Sequence, residues 1–237
     1  MNGSNRAIDL NADLGEGCPW DDPLLIRVSS ASICCGAHAG DPATISHTLR
    51  LAQARGVVVG AHPGYADREG FGRREMDMTS QEVERLVREQ VDALDHLTRQ
   101  VGISLQFVKP HGALYNQGQR DAAIAAGIVA AVAPLGLPLV GQPGSQVERL
   151  CRARGHRFLA EGFADRRYQP DGRLVPRTQP NAILSDPPEI QAQVRRLVKQ
   201  GIDTLCIHGD DPRSVGLADE VRMILREEGV TIWSFAG

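Results

Sequence analysis

Short apolar runs alternate along this chain with longer segments whose apolar residues recur at helical spacing. The runs predict eight strands, at residues 7–10, 31–35, 57–61, 105–108, 137–141, 157–160, 204–208 and 231–235. Between the strands, helices are predicted at residues 41–55, 80–100, 121–132, 146–154, 188–200 and 215–228. Glycine directly follows four of these helices, which is typical of a helix that ends before a strand. The pattern predicts repeated strand-helix units.

Repeated strand-helix units form parallel sheets covered by helices, either as a closed barrel or as an open, doubly wound sheet. An open sheet gathers its site at one switch point, whereas a barrel gathers residues from most strand ends at one mouth. Polar residues follow nearly every predicted strand of this chain, among them Asp13, His38, His62, Lys109 and His208. This distribution favours an α/β fold of the (β/α) barrel kind.

No composition shift, internal repeat or low-complexity tract divides the sequence. We therefore expect a single domain over residues 1–237, with residues 1–6 as a flexible N-terminus. The proline-rich segment 164–188 is long for an ordinary connection between two elements. It predicts a lid or a partner-binding loop, and a plain surface excursion is an equal alternative.

Composition and charge narrow the classes of function. Hydrophobic residues make up 42% and charged residues 23% of the chain, as in globular proteins with a sizeable core. The net charge of -3 and the scattered arginines argue against a nucleic-acid partner. No apolar run approaches the ~20 residues that span a bilayer, and the N-terminus lacks the apolar region of a signal peptide. The five cysteines lack paired spacing and predict reduced thiols, so we expect a cytoplasmic location and no membrane partner.

Residues with catalytic or ligand-binding chemistry follow the first three predicted strands. Asn11 and Asp13 fall on one side of an extended chain because side chains alternate, and Glu16 follows them. These residues could face the barrel interior, although turn chemistry would also explain them. His38 and His62 lie among glycine and alanine, which lets the backbone approach a ligand or a metal closely.

Charged residues follow the later strands and one glycine-rich loop. Arg73 and Arg74 suit an anion such as a carboxylate or a phosphate, but such a pair is also a common surface feature. Lys109 leaves an apolar strand, so it needs an acid or a substrate as partner, and we expect its ammonium to point into the mouth. Asp210 has a second carboxylate beside it, and neighbouring carboxylates can raise each other's pKa enough for acid-base catalysis.

Taken together, these segments resemble the LamB/YcsF family, whose members are understood as the A component of 5-oxoprolinase. The resemblance runs from about residue 8 to the C-terminus. Seven ordered motifs carry it, at residues 9–16 (DLNADLGE), 35–42 (CGAHAGDP), 61–64 (AHPG), 70–74 (GFGRR), 108–116 (VKPHGALYN), 161–168 (EGFADRRY) and 208–210 (HGD). The chain departs from the family pattern at Ser32 and Ala37, where asparagine and phenylalanine are typical, and in a shorter segment after Glu16.

The resemblance implies a fold, a reaction and partners. The fold would be a single-domain distorted (β/α) barrel with seven or eight strands, of the glycoside hydrolase/deacetylase kind. The reaction would be cleavage of 5-oxoproline to L-glutamate coupled to ATP hydrolysis, together with partner subunits B and C. ATP, with its Mg²⁺, would act through the complex, because the phosphate-binding motif G-x-x-x-x-G-K-[ST] does not occur in this chain.

Within the site we assign roles as hypotheses. Asp13 or Glu16 would act as general base, and Lys109 and His111 would stabilise negative charge on oxygen. The full catalytic set is Asp13, Glu16, Lys109, His111 and Asp210. The expected substrate-binding set is Asn11, His38, His62, Arg73, Arg74, Tyr115, Asp165, Arg166 and His208, with Arg73 or Arg74 on the substrate carboxylate.

Two other functions remain open from the residues alone. Asp13, His38, His62 and His111 could hold a divalent metal with an open coordination position. The chain would then be a stand-alone metal-dependent hydrolase or deacetylase of a small amide or a carbohydrate. It could also be a non-catalytic barrel that presents 5-oxoproline to its partners.

Overall fold

The computed structural model describes residues 6–235, and its centre is a ring of parallel strands. The strands are β1 (Ala7–Leu14), β2 (Ser30–Cys34), β3 (Val58–His62), β4 (Leu139–Gly141), β5 (Phe158–Phe163), β6 (Thr204–His208) and β7 (Thr231–Ile232). Six of them pair in the order β3-β2-β1-β6-β5-β4, and β7 pairs with the start of β1. The parallel arrangement confirms the predicted α/β class.

The segment predicted as a strand at residues 105–108 joins the two edges of this sheet. Val108 forms parallel bridges with Ala61 in β3 and with Leu139 in β4. The Lys109 N–H donates to the Ala61 carbonyl, and the Val140 N–H donates to the Val108 carbonyl, both at 2.9 Å. The sheet thereby curls into a distorted barrel, and the described residues contain seven strands plus this bridging segment.

Eight α-helices cover the sheet in residues 6–235. They are α1 (Asp21–Leu25), α2 (Pro42–Arg55), α3 (Ser80–Val101), α4 (Gly112–Arg120), α5 (Ala122–Val132), α6 (Gln146–Ala153), α7 (Pro187–Gln200) and α8 (Ser214–Glu227), with a short 3-10 turn at Ala133–Leu135. All six predicted helices are confirmed to within one residue at each end. The sharp start of α3 comes from a capping box, in which Thr79 and Glu82 each bond the other's backbone N–H.

The side chains of β1 alternate between two environments. One set packs in the main apolar core together with helix residues: Ile8, Leu10, Ala12 and Leu14. The other set, Asp9, Asn11 and Asp13, is buried as well but bonds to polar side chains, which include Ser30 of β2, Glu161 of β5 and Lys109. The period of two thus gives the barrel an apolar outside and a polar inside.

The proline-rich segment between β5 and α7 folds back on itself. Antiparallel bridges join Arg166 to Ile183 and Tyr168 to Leu174. Residues of this segment line the cavity at the mouth of the barrel. The segment therefore covers one side of the mouth, as a lid would.

Two expectations concern the ends of the chain and membranes. Of the predicted flexible N-terminus, residues 1–5 lie outside the described residues, whereas the Arg6 carbonyl accepts a 2.9 Å bond from the Thr231 N–H. Among the helices of residues 6–235, none has the length and apolar character needed to cross a membrane.

Candidate active site

A buried lysine organises the polar interior of the barrel. The Lys109 ammonium is 2.8 Å from Asp13 Oδ1, 2.7 Å from Glu161 Oε1 and 3.0 Å from Asn11 Oδ1. Cys206 Sγ lies 3.0 Å from the same nitrogen. These acceptors use all three ammonium protons, so Lys109 faces inward and not into the mouth, contrary to our expectation from the sequence.

This arrangement holds Asp13 as a carboxylate. Burial is the largest influence on Asp13 and opposes its ionisation, but the nearby His62 imidazole and the Lys109 ammonium together outweigh it and keep the Asp13 pKa well below its usual range. Glu16 has the opposite tendency, because burial and then the charges of Asp13 and Asp210 raise its pKa well above the usual value. The pKa values of the two predicted catalytic carboxyl groups therefore shift in opposite directions.

Three imidazoles cluster beside Asp13, with His38 and His111 stacked and His62 edge-on to both. His62 Nε2 is 3.4 Å from Asp13 Oδ2 and 3.0 Å from His111 Nδ1. The His38 ring lies parallel to the His111 ring, with centroids 3.8 Å apart, and His38 Nε2 is 3.4 Å from Glu16 Oε1. The structure thus brings together the histidines predicted from three separate strand ends.

Glycines in the surrounding loops allow these rings to pack closely. A Cβ atom at Gly64 would lie 2.8 Å from His38 Nδ1, and one at Gly72 would lie 2.9 Å from His111 Cδ2. Gly72 also has a φ of +64°, which favours glycine. Neither loop has space for a larger residue at these positions, which explains why glycines occur beside the histidines.

A cavity of about 370 Å³ opens above this cluster, within the ~300–1,000 Å³ range typical of small-molecule sites. Its lining includes Asp13 and His111 at the base, His208 at one side, and a group of arginines. Arg73 and Arg177 both pair with Asp210. Two guanidinium groups therefore share one carboxylate.

Arg166 is the least compensated cation of the cavity. It is 4% exposed, one terminal nitrogen donates to the Val175 carbonyl at 2.7 Å, and its buried Nε has no hydrogen-bond partner within residues 6–235. Burial and the nearby Arg177 charge lower the Arg166 pKa to about 10. A buried guanidinium in this state is suited to an anionic ligand.

His208 and Asp165 form a pair at the wall of the cavity. His208 Nδ1 is 3.2 Å from Asp165 Oδ1, and the imidazole stacks on Phe163. Burial and the Arg177 charge lower the His208 pKa, although Asp165 counteracts them. His208 is therefore neutral at pH 7, with Nδ1 donating to Asp165 and Nε2 free to exchange a proton.

Of the nine predicted substrate-binding residues, three border this cavity, Arg73, Arg166 and His208, and six do not: Asn11, His38, His62, Asp165, Arg74 and Tyr115. The Arg74 side chain is 62% exposed and pairs with Asp67 and Glu69, each at 3.5 Å. Tyr115 is buried against Phe163, and burial together with the charge of Glu161 raises its pKa. Neither borders the cavity.

Three residues of the site were missing from the predicted set. Glu161 and Cys206 contact the Lys109 ammonium, and Arg177 pairs with Asp210. The alternation Thr204, Cys206 and His208 along β6 was a usable signal, because alternate residues share one face of a strand. Arg177 had no such signal in the irregular segment between β5 and α7.

Two groups of side chains bring potential metal-ligating atoms within 4.8 Å of one another among residues 6–235. One consists of Glu16, His62 and His111. The other consists of Asp13, Cys206 and His208. The first group contains two of the four predicted metal ligands, His62 and His111, and has Glu16 where Asp13 and His38 were predicted.

Comparison with known proteins decides the family. The sequence model of the LamB/YcsF family matches residues 8–237. The chain belongs to the LamB/YcsF family. A relative from Methylococcus capsulatus, which is named as the A component of 5-oxoprolinase, is 46% identical over 252 residues, which cover 98% of this chain and 97% of the relative.

Solved structures resemble this LamB/YcsF barrel. The crystal structure of the lactam utilization protein from Thermus thermophilus is 40% identical, with a TM-score of 0.87, covering 97% of this chain and 100% of that protein. A family 4 carbohydrate esterase from Streptomyces lividans has a TM-score of 0.57 at 12% identity, covering 97% and 93% of the two chains. The esterase shows only that the fold is shared, which confirms the predicted deacetylase-like barrel.

Proposed function

We propose that this chain is the A component of an ATP-dependent 5-oxoprolinase, which cleaves 5-oxoproline to L-glutamate together with partner subunits B and C. The name of the 46% identical relative supports the activity. The observation that carries the proposal is the cavity, whose lining includes Arg166 with its unpartnered Nε, the Asp13 carboxylate, and His208, which is paired with Asp165. A small lactam with one carboxylate matches this set.

Arg166 binds the carboxylate of 5-oxoproline. A guanidinium holds a carboxylate through two parallel hydrogen bonds, and Arg166 has donor capacity that no protein carboxylate uses. Arg73 and Arg177 add positive charge on the same side of the cavity. Arg166 thus takes the role that the sequence suggested for Arg73 or Arg74.

Ring opening requires a water molecule and proton transfer. The water oxygen bonds to the lactam carbonyl carbon, the carbon–nitrogen bond breaks, and the nitrogen takes a proton. His208 Nε2 removes the proton from water and returns it to the leaving nitrogen, with Asp165 fixing the tautomer. Asp13 lines the same cavity as a carboxylate and orients the water.

Lys109 and His111 position other groups in this scheme. The Lys109 protons are used by Asp13, Glu161 and Asn11. His111 Nε2 donates to the Phe71 carbonyl at 2.8 Å, so this N–H is not available to a bound lactam. Both residues therefore fix the positions of the groups at the base of the cavity. Stabilisation of negative charge on oxygen, which the sequence suggested for Lys109 and His111, is assigned instead to the arginines of the cavity.

ATP enters through the partner subunits. An amide is a weak electrophile, so the γ-phosphoryl group of ATP is transferred to the lactam carbonyl oxygen, leaving ADP. Attack by one water and cleavage of the carbon–nitrogen bond then give an acyl phosphate, and a second water hydrolyses it to L-glutamate and inorganic phosphate. The ATP, with its Mg²⁺, binds where the partners supply a phosphate site, since the P-loop motif does not occur in this sequence. We place the complex in the cytoplasm, where ATP is available and where the five cysteines stay as free thiols.

The test is reconstitution with purified subunits. Glutamate and ADP are followed with 5-oxoproline and MgATP for this chain alone, for subunits B and C alone, and for the complete set. We expect glutamate and ADP in equal amounts from the complete set only. Glutamate release by this chain alone without ATP would refute the proposal in favour of a stand-alone amide hydrolase. Normal turnover by a complex carrying His208→Asn would favour the non-catalytic carrier.

A further inference from the structure

Hydrogen-bond acceptors around His62 and His111 fix the tautomers of both rings. His62 Nδ1 is 2.7 Å from the Lys109 carbonyl oxygen, and His111 Nε2 is 2.8 Å from the Phe71 carbonyl oxygen. A carbonyl oxygen only accepts hydrogen bonds, so each of these nitrogens carries its ring's proton. In the neutral rings, His62 Nε2 and His111 Nδ1 are therefore both lone-pair acceptors.

These two acceptors face each other at 3.0 Å in a buried setting. Two lone pairs at that distance repel, and no N–H is left on either ring to join them. Only a cation between the nitrogens removes the conflict, and it is either one additional proton or a metal ion. The surrounding groups distinguish these alternatives.

Carboxylate oxygens lie beside both nitrogens, and the ligand atoms of Glu16, His62 and His111 all lie within 4.8 Å of one another. Glu16 Oε1 is 3.6 Å from His111 Nδ1, and Asp13 Oδ2 is 3.4 Å from His62 Nε2. Four-coordinate zinc with bonds of about 2.1 Å separates neighbouring ligand atoms by about 3.4 Å. The three distances of 3.0, 3.4 and 3.6 Å lie around this value. A shared proton would serve only one of these three contacts.

From this geometry we propose that Glu16, His62 and His111 bind one divalent first-row transition-metal ion, with Asp13 as the nearest additional ligand. Two imidazoles and carboxylates suit zinc, manganese, cobalt or nickel better than magnesium or calcium, which prefer oxygen alone. Asp13 and His111 border the cavity, so a coordination position remains open to a small molecule. His38 is a positioning residue, because it stacks on His111 and contacts Glu16.

The second group of potential ligands does not form such a site. Cys206 Sγ and Asp13 Oδ1 lie 3.0 Å and 2.8 Å from the Lys109 ammonium. The lysine charge already neutralises this group and would repel a second cation. His208 of the same group is instead paired with Asp165. The metal is therefore expected on the side of His62 and His111.

Metal titration of chelator-treated protein tests the site independently of turnover. We expect Zn²⁺ to bind with one-to-one stoichiometry by calorimetry, and Co²⁺ to give visible ligand-field absorption. His62→Asn and His111→Asn should each weaken Zn²⁺ binding by at least about 100-fold, the upper range for perturbing a metal's outer shell. His208→Asn, which changes a partly buried histidine of the second group, is the matched control and should bind Zn²⁺ as the wild type does.

Circular dichroism and thermal unfolding establish whether each variant folds. If the histidine variants fail to fold, Glu16→Gln keeps both imidazoles and should still weaken Zn²⁺ binding by about 10- to 100-fold. Wild-type protein that binds neither Zn²⁺ nor Co²⁺ stoichiometrically overturns the proposal and leaves a shared proton between the imidazoles. Binding that is lost in His208→Asn but retained in His62→Asn overturns it as well. Neither result bears on ATP-dependent turnover, which is measured separately.

Discussion

The Lys109 ammonium lies 2.7 Å from the Glu161 carboxylate, and both side chains are almost completely buried inside the barrel. Asp13 contacts the same ammonium from the other side at 2.8 Å. The charge of Lys109 is therefore shared by two carboxylates that are excluded from water. This relationship makes the lysine a determinant of stability as well as of the site.

Replacing Lys109 with methionine should destabilise the fold. The change keeps most of the apolar stem but leaves Asp13 and Glu161 as buried charges without a cation, and breaking a buried pair in this way costs about 3–5 kcal/mol. Chemical denaturation of the purified chain measures the free energy of unfolding.

Two further variants control this experiment. Lys199→Met removes an exposed lysine of α7 and should change the free energy of unfolding by less than about 0.5 kcal/mol. The double variant Lys109→Met with Glu161→Gln removes one of the two unpaired buried charges, so it should recover part of the lost free energy of unfolding. A Lys109→Met protein as stable as the wild type would show that neighbouring groups neutralise the site without the lysine.

Replacing Arg166 with methionine should weaken substrate binding. Hydrogen bonds to a charged group are worth about 1.5–3 kcal/mol, so KM for 5-oxoproline in the reconstituted complex should rise about 10- to 100-fold. Stability should not fall greatly, because Arg166 donates to the Val175 carbonyl and to no carboxylate. Arg74→Met is the matched control, since its guanidinium is largely exposed outside the cavity. Equal KM values for the two variants would remove Arg166 from the substrate site.

Replacing Asp165 with asparagine should reduce kcat and leave KM nearly unchanged. The variant keeps the size of the side chain but no longer favours the His208 tautomer with its proton on Nδ1. Loss of general acid-base catalysis typically lowers the rate by about 10²- to 10⁴-fold. Steady-state kinetics of the reconstituted complex provide the measurement. A change confined to KM would instead indicate that the pair only binds substrate.

The sequence predicted the framework well because local signals and burial agree in it. Glycines at helix ends, helix caps and apolar runs located six of the eight helices and most strands of residues 6–235. Helix α4 was missed because Gly112 and Gly118 lower its helix propensity, yet burial of Ala113, Leu114 and Tyr115 stabilises it. Residues 105–108 were predicted as a strand but form only a bridge at Val108.

Site residues that lie on a strand were predictable, because alternate side chains of a strand point to the same face. Asn11 and Asp13 share the inner face of β1, as the period of two required. Cys206 was predicted only as one of five reduced thiols, because one cysteine in an apolar strand gives no sign of the lysine that contacts it. Adjacent arginines were not distinguishable either, and the loop directs Arg73 into the cavity and Arg74 toward solvent. Such pairings depend on distant segments, which single-sequence patterns do not specify.

The free energy of unfolding should depend on pH through Asp9, which precedes Asn11 and Asp13 on the inner face of β1. Its carboxylate accepts hydrogen bonds from Ser29, Ser30 and Thr204, but burial dominates and raises its pKa from 3.8 to about 6. Below pH 4 the carboxyl group is protonated in both folded and unfolded chains and imposes no penalty. As pH rises through 4 to 6 the unfolded chain loses its proton first, so this group lowers stability, by about 3 kcal/mol above pH 6.

The variant Asp9→Asn isolates this contribution. Asparagine can still accept from one hydroxyl group and can donate to another, so the barrel should fold. The free energy of unfolding of the variant relative to the wild type should rise between pH 4 and pH 6.5, by up to about 3 kcal/mol, and be constant outside that interval. Urea denaturation at closely spaced pH values measures the difference. A difference that is flat across the interval would mean that the three hydroxyl donors keep Asp9 ionised and that burial does not control its protonation.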